Sequence, residues 1–558
     1  MKKITLSVAF VMLLQLAFAG GLLTNYNQSA QYIRMLSRNA SLDVDAVFYN
    51  PAGLVKLEDG WHFSLSSQTI WQTREVTSNF PLLMNDHDNY YEGKTFAPVF
   101  PDFYGVYKKD KWAFSLGFGP AAGGGSAKFD NGLPSFEIPI SKIVPALSGL
   151  GQIDPALAVS GYSLSMSFDA SSIFWGVQVG ASYAINDMIS VYGGVRVMPS
   201  TNTYNGSIKD IMLTAGGQSY PAPSWLSGAA GTLNGYAAQA STGADLSYAA
   251  ASGMQPIIDG GGAAFTLAQL EGAGFISSAQ RAQLEGGLIL AGVPQEQIDM
   301  MNAGQIQGAY TAAGEQLTQT ATVLTGTAQT LNGTAELMGD KEVDAKQTGT
   351  GFTPIISVNI SPNDDWNIAL KYEHKTALKL KNETKVDDMG LFPDGAESRN
   401  DVPGIFAAGV GYRGLDWLEL QLSYNLYLDK GVDWGYNVRY DAVGETLHRE
   451  IDNNSHEIAL GLQFNLSDNF AISTGGLYSS TGVAESYQSD FSYSNAAYAF
   501  AAGLEWKITD RLTFDAGLSQ TIYIEDEVTF VDPDVGTYTD IYQKKTFMVA
   551  AGLTFSIF

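Results

Sequence analysis

Runs that alternate large apolar residues with small or polar ones recur along the chain from residue 59 to its end. In the clearest of them every second position is apolar and most of these residues are aromatic or large aliphatic: 112–118, 175–185, 418–428, 458–464 and 498–506. This period of two residues predicts an all-β chain whose strands each have one apolar face. A soluble β-sandwich has the same alternation, so the period alone leaves open what surrounds the strands.

The lengths of the connections favour a membrane barrel. Six connections are short and polar: 108–111, 185–187, 361–365, 413–416, 465–469 and 507–511. The others are long: 73–99, 123–166, 201–350, 384–401, 429–450, 481–492 and 525–543. Short turns on one rim and long loops on the other are typical of barrels that close in lipid, where no backbone group can stay unpaired. We therefore predict a transmembrane antiparallel β-barrel of about 14 strands over residues 59–558.

Aromatic residues near the predicted strand ends predict girdles at the membrane interfaces. The tryptophans concerned are Trp61, Trp71, Trp112, Trp366, Trp417, Trp434 and Trp506. Ordinary core packing is the alternative. The final run has one apolar face from Phe547 to Ile557, and the terminal Phe558 is out of step with it, which leaves the register of the last pairing open.

Residues 201–350 are too long for an ordinary loop, and their composition shifts to Ala, Gly, Gln and Thr. Helical patterns at 266–290 and 294–338 predict a helical hairpin on the extracellular rim. Its second arm has an apolar residue at every seventh position: Tyr310, Leu317, Leu324, Leu331 and Met338. This stripe either packs one helix on the other or, together with the loop 133–157, collects hydrophobic substrate.

The chain begins with Met1-Lys2-Lys3, an apolar run to Phe18, and the small residues that precede a cleavage site at Ala19. This order predicts a secretory signal peptide over residues 1–19. The chain has no Cys, so disulfides and cysteine-based metal sites are excluded.

The net charge of −26 excludes nucleic acid as a partner, because phosphate binding needs clustered Lys and Arg. Acidic residues concentrate in the loops 85–88, 387–394 and 525–534. A solvated face explains them, and divalent cations that bridge these loops to lipopolysaccharide are the second interpretation.

Residues 20–58 have no strand pattern. Apolar residues fall at mixed helical spacings between Tyr32 and Val47, and the segment ends in Asn50-Pro51-Ala52-Gly53. Because every strand-like run lies downstream, we predict that this segment is a plug inside the barrel. In its motif, Asn50 is expected to bind backbone groups, Pro51 to fix φ, and Ala52 and Gly53 to allow close contact with the wall.

The stretch Leu-Asp-Val-Asp-Ala-Val-Phe-Tyr-Asn-Pro-Ala-Gly-Leu at 42–54 resembles the N-terminal hatch of the FadL family, bacterial outer-membrane transporters of hydrophobic compounds. The resemblance extends in outline from the leader to Phe558, and the long insertion at 201–350 departs from it. It implies 14 strands and uptake of hydrophobic small molecules, which in the best-known relatives are long-chain fatty acids. The terminal Phe558 on a final amphipathic strand resembles the signal that the outer-membrane assembly machinery reads.

The resemblance also implies an outer apolar groove, an interior pocket, and a kink in the third strand that opens the wall sideways. The corresponding run here is 112–125, in which the candidate gate residues are Gly117, Gly119, Pro120, Gly123 and Gly124. Pro cannot donate to a ladder and Gly permits a bulge. The alternative interpretation is a strand that ends at Pro120.

Five charged residues are predicted to face the lumen: Arg196, Lys371, Glu373, Glu419 and Glu505. They either orient a carboxylate headgroup or pair with each other and with the plug, since charges inside a barrel need partners.

Three other functions compete with transport of hydrophobic compounds. An outer-membrane lipid hydrolase would need Ser, His and an orienting group, and none of His62, His87, His374, His448 and His456 lies in a hydrolase signature. The other two are a general diffusion porin and a surface adhesin that uses the insertion. We predict a monomeric transporter without enzyme activity, cofactor or metal.

Overall fold

The computed structural model describes residues 23–433, 438–440, 446–448 and 451–558. The predicted signal peptide, residues 20–22 of the predicted plug and Trp434 lie outside the described residues.

Fourteen antiparallel strands form the wall. In chain order they are β1 (Gly60–Ser78), β2 (Tyr90–Lys109), β3 (Trp112–Phe129), β4 (Val159–Ala184), β5 (Ile189–Ala215), β6 (Lys341–Ile360), β7 (Trp366–Glu373), β8 (Ile405–Leu415), β9 (Leu418–Tyr427), β10 (Ser455–Ser467), β11 (Phe470–Ser479), β12 (Ala497–Thr509), β13 (Leu512–Tyr523) and β14 (Gly536–Ile557). Shorter strands lie in the connections: Gln218–Pro221, Lys379–Asp387, Glu397–Arg399, Val438–Tyr440, Thr446–His448 and Asp526–Asp532.

The wall closes because β1 pairs with both β2 and β14. The β1–β14 ladder runs from Trp61 opposite Ile557 to Ser78 opposite Asp540, and β13 pairs with the other edge of β14. This fixes the register of the last strand, which the sequence left open. Phe558 follows the end of β14, and its ring lies near His62 and Arg511. The prediction of about 14 strands in a closed barrel is confirmed.

Large apolar side chains point outward and polar ones inward. On β9, Leu422 is 46% exposed while the neighbouring Ser423 and Asn425 are buried. The same inversion holds on β10, where Ile458 and Leu460 are nearly half exposed. In water this exterior would cost about 25 cal/mol for each Å² of exposed apolar surface. The exterior therefore fits a barrel surrounded by lipid and not a soluble β-sandwich.

The six described tryptophans that were predicted to form girdles are all exposed, in agreement with an interfacial position and not with core packing: Trp61, Trp71, Trp112, Trp366, Trp417 and Trp506.

All six predicted short turns join consecutive strands, but several predicted long loops are partly strand. The β1–β2 connection is only 79–89, β5 runs on to Ala215, and β6 begins at Lys341. In these extensions both faces of the strand include polar residues, so the two-residue period that reveals a lipid-facing strand is lost.

The long insertion is mainly helical, and residues 144–163 and 210–339 form a compact unit. Its helices are Ala222–Ile257, Ile258–Gly262 (a π-helix), Leu267–Gly272, Ser278–Leu290, Gln295–Ile298 and Ala303–Leu337, with Leu150–Ile153 and Pro155–Leu157 in its first segment. Among the described residues, no helix is both long enough and apolar enough to span a membrane.

The hairpin has a different first arm from the one predicted. Ala303–Leu337 packs on Ala222–Ile257, and 266–290 contributes only short helices to the connection between them. Ala222–Ile257 is rich in Ala, Gly and Ser, so its buried stripe gives a weak apolar period. Tyr310, Leu324 and Leu331 are buried, which supports helix-on-helix packing as the role of the seven-residue stripe.

The remaining helices are short. Residues 23–57 contain Ala30–Ile33, Ala46–Tyr49 and the 3₁₀ helix Pro51–Lys56, and the loops contain Pro134–Ser141, Ile143–Leu147, Asp429–Gly431 and Glu485–Tyr487.

Candidate functional site

Residues 23–57, called the plug from here on, fill the interior of the barrel. Nearly all of their side chains are buried, including four aromatic rings that pack together: Tyr26, Tyr32, Phe48 and Tyr49. Tyr32 and Tyr49 stack with their centroids 5.5 Å apart. Burial raises the pKa of the Tyr26 and Tyr49 hydroxyls well above the usual value, so both remain neutral donors. Tyr26 donates to Asn39 Oδ1 at 2.8 Å.

The plug is hydrogen-bonded to every strand of the wall. Its partners, from β1 to β14, are Ser66, Tyr104, Pro120, Gln178, Ser190, Asn359, Lys371, Ala408, Ser423, Gln463, Ser473, Glu505, Asp515 and Thr554. A buried polar group without a partner costs roughly 1–3 kcal/mol, so these bonds explain why a polar lumen can be filled by protein.

Three of the four residues of the predicted plug motif, Asn50, Pro51 and Ala52, are hydrogen-bonded to the wall. Asn50 Nδ2 donates to Ser41 O at 2.9 Å and to Asn359 Oδ1 on β6 at 2.7 Å. The carbonyls of Pro51 and Ala52 accept, each at 2.6 Å, from wall serines on β4 and β5, Ser182 and Ser190. A Cβ on Gly53 would lie 2.4 Å from Asn50 Nδ2 and 2.9 Å from Leu42 Cδ2, so Gly53 admits close packing within the plug, where contact with the wall was predicted.

Two buried arginines of the plug form ion pairs with buried carboxylates. Arg34 pairs with Glu505 at 2.8 Å and Asp515 at 2.9 Å on the wall. Arg38 pairs within the plug, with Asp45 at 2.7 Å and Asp43 at 2.6 Å. Burial lowers the pKa of Arg38, but the two carboxylates outweigh this and raise it well above its ordinary value, so the guanidinium stays charged.

Three of the predicted lumen charges form one cluster against the plug. Arg196 pairs with Glu373 at 2.6 Å, and Lys371 pairs with the same carboxylate at 2.7 Å. Lys371 Nζ also donates to Phe48 O at 2.7 Å, and Arg196 lies 4.8 Å from the centre of the Phe48 ring.

The other two predicted charges lie elsewhere. Glu505 pairs with Arg34 of the plug, whereas Glu419 lies 3.6 Å from Arg413 and accepts from Gln421 at 3.0 Å. The structure therefore joins four of the five residues to the plug, directly or through one another.

Inward-facing glycines of the wall lie against the plug backbone, and sequence reasoning missed them. A Cβ on Gly475 would lie 1.9 Å from Met35 O, and one on Gly409 would lie 2.5 Å from the Asn39 carbonyl carbon. A Cβ on Gly517 would lie 2.7 Å from Arg34 N. The available signal was glycine at polar-face positions of strands, where a lumen otherwise has polar side chains.

The ladder between β2 and β3 is interrupted. Gly93 and Lys94 pair with Phe129 and Lys128, and pairing resumes only at Phe103 opposite Phe118. Between these points, residues 95–102 of β2 and 119–127 of β3 have no register with each other. The wall therefore has an unpaired window between two strands that are otherwise hydrogen-bonded.

On the β3 side of this window the strand bends toward the plug. The β3–β4 register shifts twice, between Pro120 and Ala122 and again between Ala122 and Gly125. Gly123 has φ +96°, and Gly124 lies within the second shift. Because β3 continues to Phe129, the interpretation that it ends at Pro120 is wrong.

The plug takes the place of the missing ladder. Thr24 bridges to Ala122, Asn25 N donates to Ala121 O at 3.0 Å, and Gly123 N donates to Leu23 O at 2.9 Å. Gly119 lies against the Gln28 side chain, and Gly117 lies against Val47. All five predicted gate residues thus lie at or next to the contact between β3 and the plug.

Two apolar regions lie near this contact. An interior cluster surrounds Leu23 and the bend of β3: Ala121, Ala122, Phe174, Met198, Leu378, Leu380, Val402 and Tyr487. A separate aromatic pocket of about 20 Å³ lies among the loops and strand extensions, lined by Phe136, Phe168, Tyr204, Ile208, Phe392 and Phe491 among others. In it the Phe136 ring contacts Phe168 and Phe491 at centroid distances of 5.6 and 5.2 Å.

His62 and His456 have structural contacts. His62 contacts Ser556 Oγ and Glu58 O, both at 2.8 Å, and His456 contacts the Tyr424 hydroxyl at 2.7 Å. The His62–Ser556 pair has a backbone carbonyl where a hydrolase triad has a carboxylate. Within the described part of the chain, no group of three or more metal-ligating side chains could hold a metal ion.

No protein-family model and no curated protein matches the chain. Among solved structures, the chain is similar to a FadL homologue of Pseudomonas aeruginosa, with 14% identity, a TM-score of 0.54, and coverage of 96% of this chain and 99% of that one. It also aligns with the toluene transporter TodX of Pseudomonas putida, with 11% identity, a TM-score of 0.46 and coverage of 92% and 94%. The first similarity shows that this chain has the fold of the FadL homologue.

Proposed function

We propose that this chain belongs to the FadL family and that it takes up hydrophobic small molecules, long-chain fatty acids foremost, across the bacterial outer membrane. The observation that carries the proposal is the unpaired window between β2 and β3, which the plug covers from inside. Unpaired backbone is costly in lipid, so a ladder that served only to close the barrel would be continuous here. An opening that serves transport explains the interruption.

A hydrophobic substrate needs a route that keeps it away from water. Exposing it in an aqueous channel would cost about 25 cal/mol for each Å² of apolar surface. In our proposal the substrate first enters the aromatic pocket around Phe136 and Phe491, then the interior cluster around Leu23. The bridge between Thr24 and Ala122 then opens, and the substrate leaves sideways through the window.

The Arg196–Lys371–Glu373 cluster holds the plug in this scheme and does not receive a headgroup. Both cations pair with the same Glu373 carboxylate, and Lys371 Nζ also donates to Phe48 O. Drawing Arg196 or Lys371 to a ligand would break a buried ion pair with Glu373, which is unfavourable.

The rival functions fit less well. A general diffusion porin needs an open lumen, whereas here the plug is bonded to all fourteen strands. An adhesin leaves the window and the plug unexplained, and a lipid hydrolase lacks an orienting carboxylate beside His62. We retain the assembly machinery and lipopolysaccharide as expected partners and a monomer as the expected state.

The test is transport by the purified protein in liposomes. We expect tritiated hexadecanoate to enter faster than in protein-free liposomes, while a swelling assay shows no permeation of sugars. Rapid sugar permeation would favour a general diffusion porin, and absence of hexadecanoate entry would contradict the proposed transport function. Native mass spectrometry of lipids that copurify in mild detergent would identify the cargo class.

A further inference from the structure

The turn between β2 and β3 is the most basic of the six short turns. It contains Lys108, Lys109 and Lys111 with one acidic residue, Asp110, in a chain whose net charge is −26. Four of the other five short turns contain no lysine, and the fifth, 507–511, contains one. Short turns lie at the periplasmic rim of an outer-membrane barrel, so this charge lies where the headgroups of the periplasmic leaflet meet the wall.

Two of these lysines are available to a ligand. Lys109 and Lys111 are exposed, and neither side chain has an ion-pair or hydrogen-bond partner among the residues that the structure describes. Asp59, the acidic residue that binds this turn, accepts from Lys108 Nζ at 2.5 Å and from the backbone N of Asp110 at 3.1 Å. Lys108 is thus balanced by Asp59, while the ammonium groups of the other two lysines face outward from the turn.

Aromatic side chains flank Lys109 on the outward face of the wall. Lys109 is directly opposite Trp112 in the β2–β3 ladder, and the Trp112 ring lies 4.6 Å from that of Tyr183 on β4, centre to centre. Tyr107, two residues before Lys109 on the same face, has its ring centre 4.7 Å from that of Trp61 on β1. Trp and Tyr concentrate at the level of lipid headgroups, so these four rings place Lys109 beside lipid phosphates.

Gly105 interrupts the row of large side chains on the outward face of β2. Phe63 and Leu116 lie opposite it on β1 and β3. A Cβ on Gly105 would lie 3.5 Å from the ring of Phe63 and 3.6 Å from that of Phe103, so the glycine leaves a shallow apolar recess between them. The recess lies about 13 Å along the strand from Lys109, a distance comparable to that from a lipid phosphate to the middle of its acyl chain.

We propose that the β2–β3 turn binds an anionic phospholipid of the periplasmic leaflet, with its phosphate on Lys109 and Lys111 and one acyl chain in the recess at Gly105. Each ammonium group is a point charge with three donors, which suits phosphate oxygens. A zwitterionic headgroup carries its own ammonium group, so the two lysines favour phosphatidylglycerol over phosphatidylethanolamine. Such a site is independent of what the barrel transports, although β2 and β3 also border the window.

The experiment titrates the full chain in detergent with dioleoylphosphatidylglycerol or dioleoylphosphatidylethanolamine and counts bound lipids by native mass spectrometry. The two lipids have the same acyl chains, and only the first has a net charge. We expect phosphatidylglycerol to bind about tenfold more tightly to the parent, since each lysine near an anionic headgroup contributes a few-fold. In Lys109→Gln/Lys111→Gln this preference should vanish while the affinity for phosphatidylethanolamine is unchanged.

Lys381→Gln is the matched control, because it removes an exposed lysine from the strand Lys379–Asp387, and it should keep the preference. Lys109→Arg/Lys111→Arg retains both charges and should keep it as well.

Gly105→Leu fills the recess, so it should weaken the binding of both lipids without changing the preference. Unchanged binding of both lipids by Gly105→Leu would contradict an acyl chain in the recess. Heat-dependent gel mobility checks that each variant is a closed barrel.

Three outcomes would overturn the assignment of a lipid to this turn. The first is a parent that binds both lipids equally. The second is a Lys109→Gln/Lys111→Gln protein that still prefers phosphatidylglycerol, or a Lys381→Gln protein that loses the preference to the same extent. The third is inorganic phosphate that displaces phosphatidylglycerol at millimolar concentration, which would reduce the turn to a small-anion site. Absence of hexadecanoate entry into liposomes would reject the proposed transport function and leave the lipid site intact.

Discussion

At the scale of single residues, polar side chains of the plug are paired with polar groups of the wall inside the barrel. Arg34, Asn39 and Asn50 of the plug each bind wall residues that are distant in sequence. These directional contacts set the position of the plug, together with the packing of its aromatic rings. Removing one member leaves its partner unsatisfied, at roughly 1–3 kcal/mol.

Asn50→Ala is expected to reduce uptake of hexadecanoate while the barrel stays folded. The change removes the bonds to Ser41 O and Asn359 Oδ1, which join the turn of the plug to β6. Uptake into liposomes and heat-dependent gel mobility are the measurements. Asn363→Ala, in the exposed turn between β6 and β7, is the control. Its Oδ1 accepts from Asp365 N and Trp366 N, both within the turn, so the change should leave uptake unchanged. Unchanged uptake by a folded Asn50→Ala protein would mean that this turn has no part in gating.

At the scale of elements, two features couple plug and wall: inward-facing glycines that admit the plug backbone, and the bend of β3 that binds its first residues. Both break the regular alternation of their strands. The first allows close approach, and the second exchanges a strand–strand ladder for a strand–plug bridge.

Gly475→Ala should displace the plug, because its Cβ would lie 1.9 Å from Met35 O, a backbone atom that cannot rotate away. We expect a loss of about 1–3 kcal/mol in stability from overpacking and faster proteolysis of the plug. The adjacent Gly476→Ala is the matched control, since its Cβ would meet nothing within 4 Å. Limited proteolysis followed by mass spectrometry measures the effect, and equal cleavage of the two variants would contradict the role given to Gly475.

A disulfide between Thr24→Cys and Ala122→Cys should block uptake until it is reduced. The two residues form an antiparallel bridge, whose Cα separation of about 4.5–5.5 Å suits a disulfide, and the chain has no other Cys. Hexadecanoate uptake is measured before and after dithiothreitol.

The control for this disulfide joins Leu116→Cys and Val179→Cys, which lie opposite each other in the β3–β4 ladder outside the bend. It should leave uptake unchanged. Full uptake by the oxidised Thr24–Ala122 pair would show that the bridge stays closed during transport.

At the scale of the whole molecule, the barrel is closed by the β1–β14 ladder, and the insertion interrupts the chain between β5 and β6 without interrupting the wall. Ile208 pairs with Lys341 across the base of the insertion, so the ladder is complete before the helical unit begins. This arrangement predicts that the barrel can form without the unit.

Replacing residues 210–339 by Asn-Gly should give a closed barrel, because a two-residue turn suits the strands that already pair at Ile208 and Lys341. Heat-dependent gel mobility tests closure. We expect uptake to fall severalfold at low hexadecanoate concentration and to recover at high concentration, as for a lost collecting surface. Undiminished uptake at all concentrations, with loss of attachment to host surfaces, would assign the insertion to adhesion.

The sequence alone determined the strands that cross the membrane, because a lipid-facing strand must be apolar at every second residue and this period is local. The short turns and the even strand count followed from the same signal. The periodic signal did not predict the strand extensions or the helix 222–257, because small and polar residues there weaken the apolar period.

Only the tertiary structure decided how the interior is arranged. Whether Arg196 meets a headgroup or Glu373, whether Gly475 lies against a plug, and whether β3 leaves a window depend on pairs of residues hundreds of positions apart. The burial of Arg74 belongs here too, since it lies opposite Lys544 only after β14 closes against β1. Local periodicity reports which face of a strand meets lipid, and only closure of the barrel determines which side chains meet inside it.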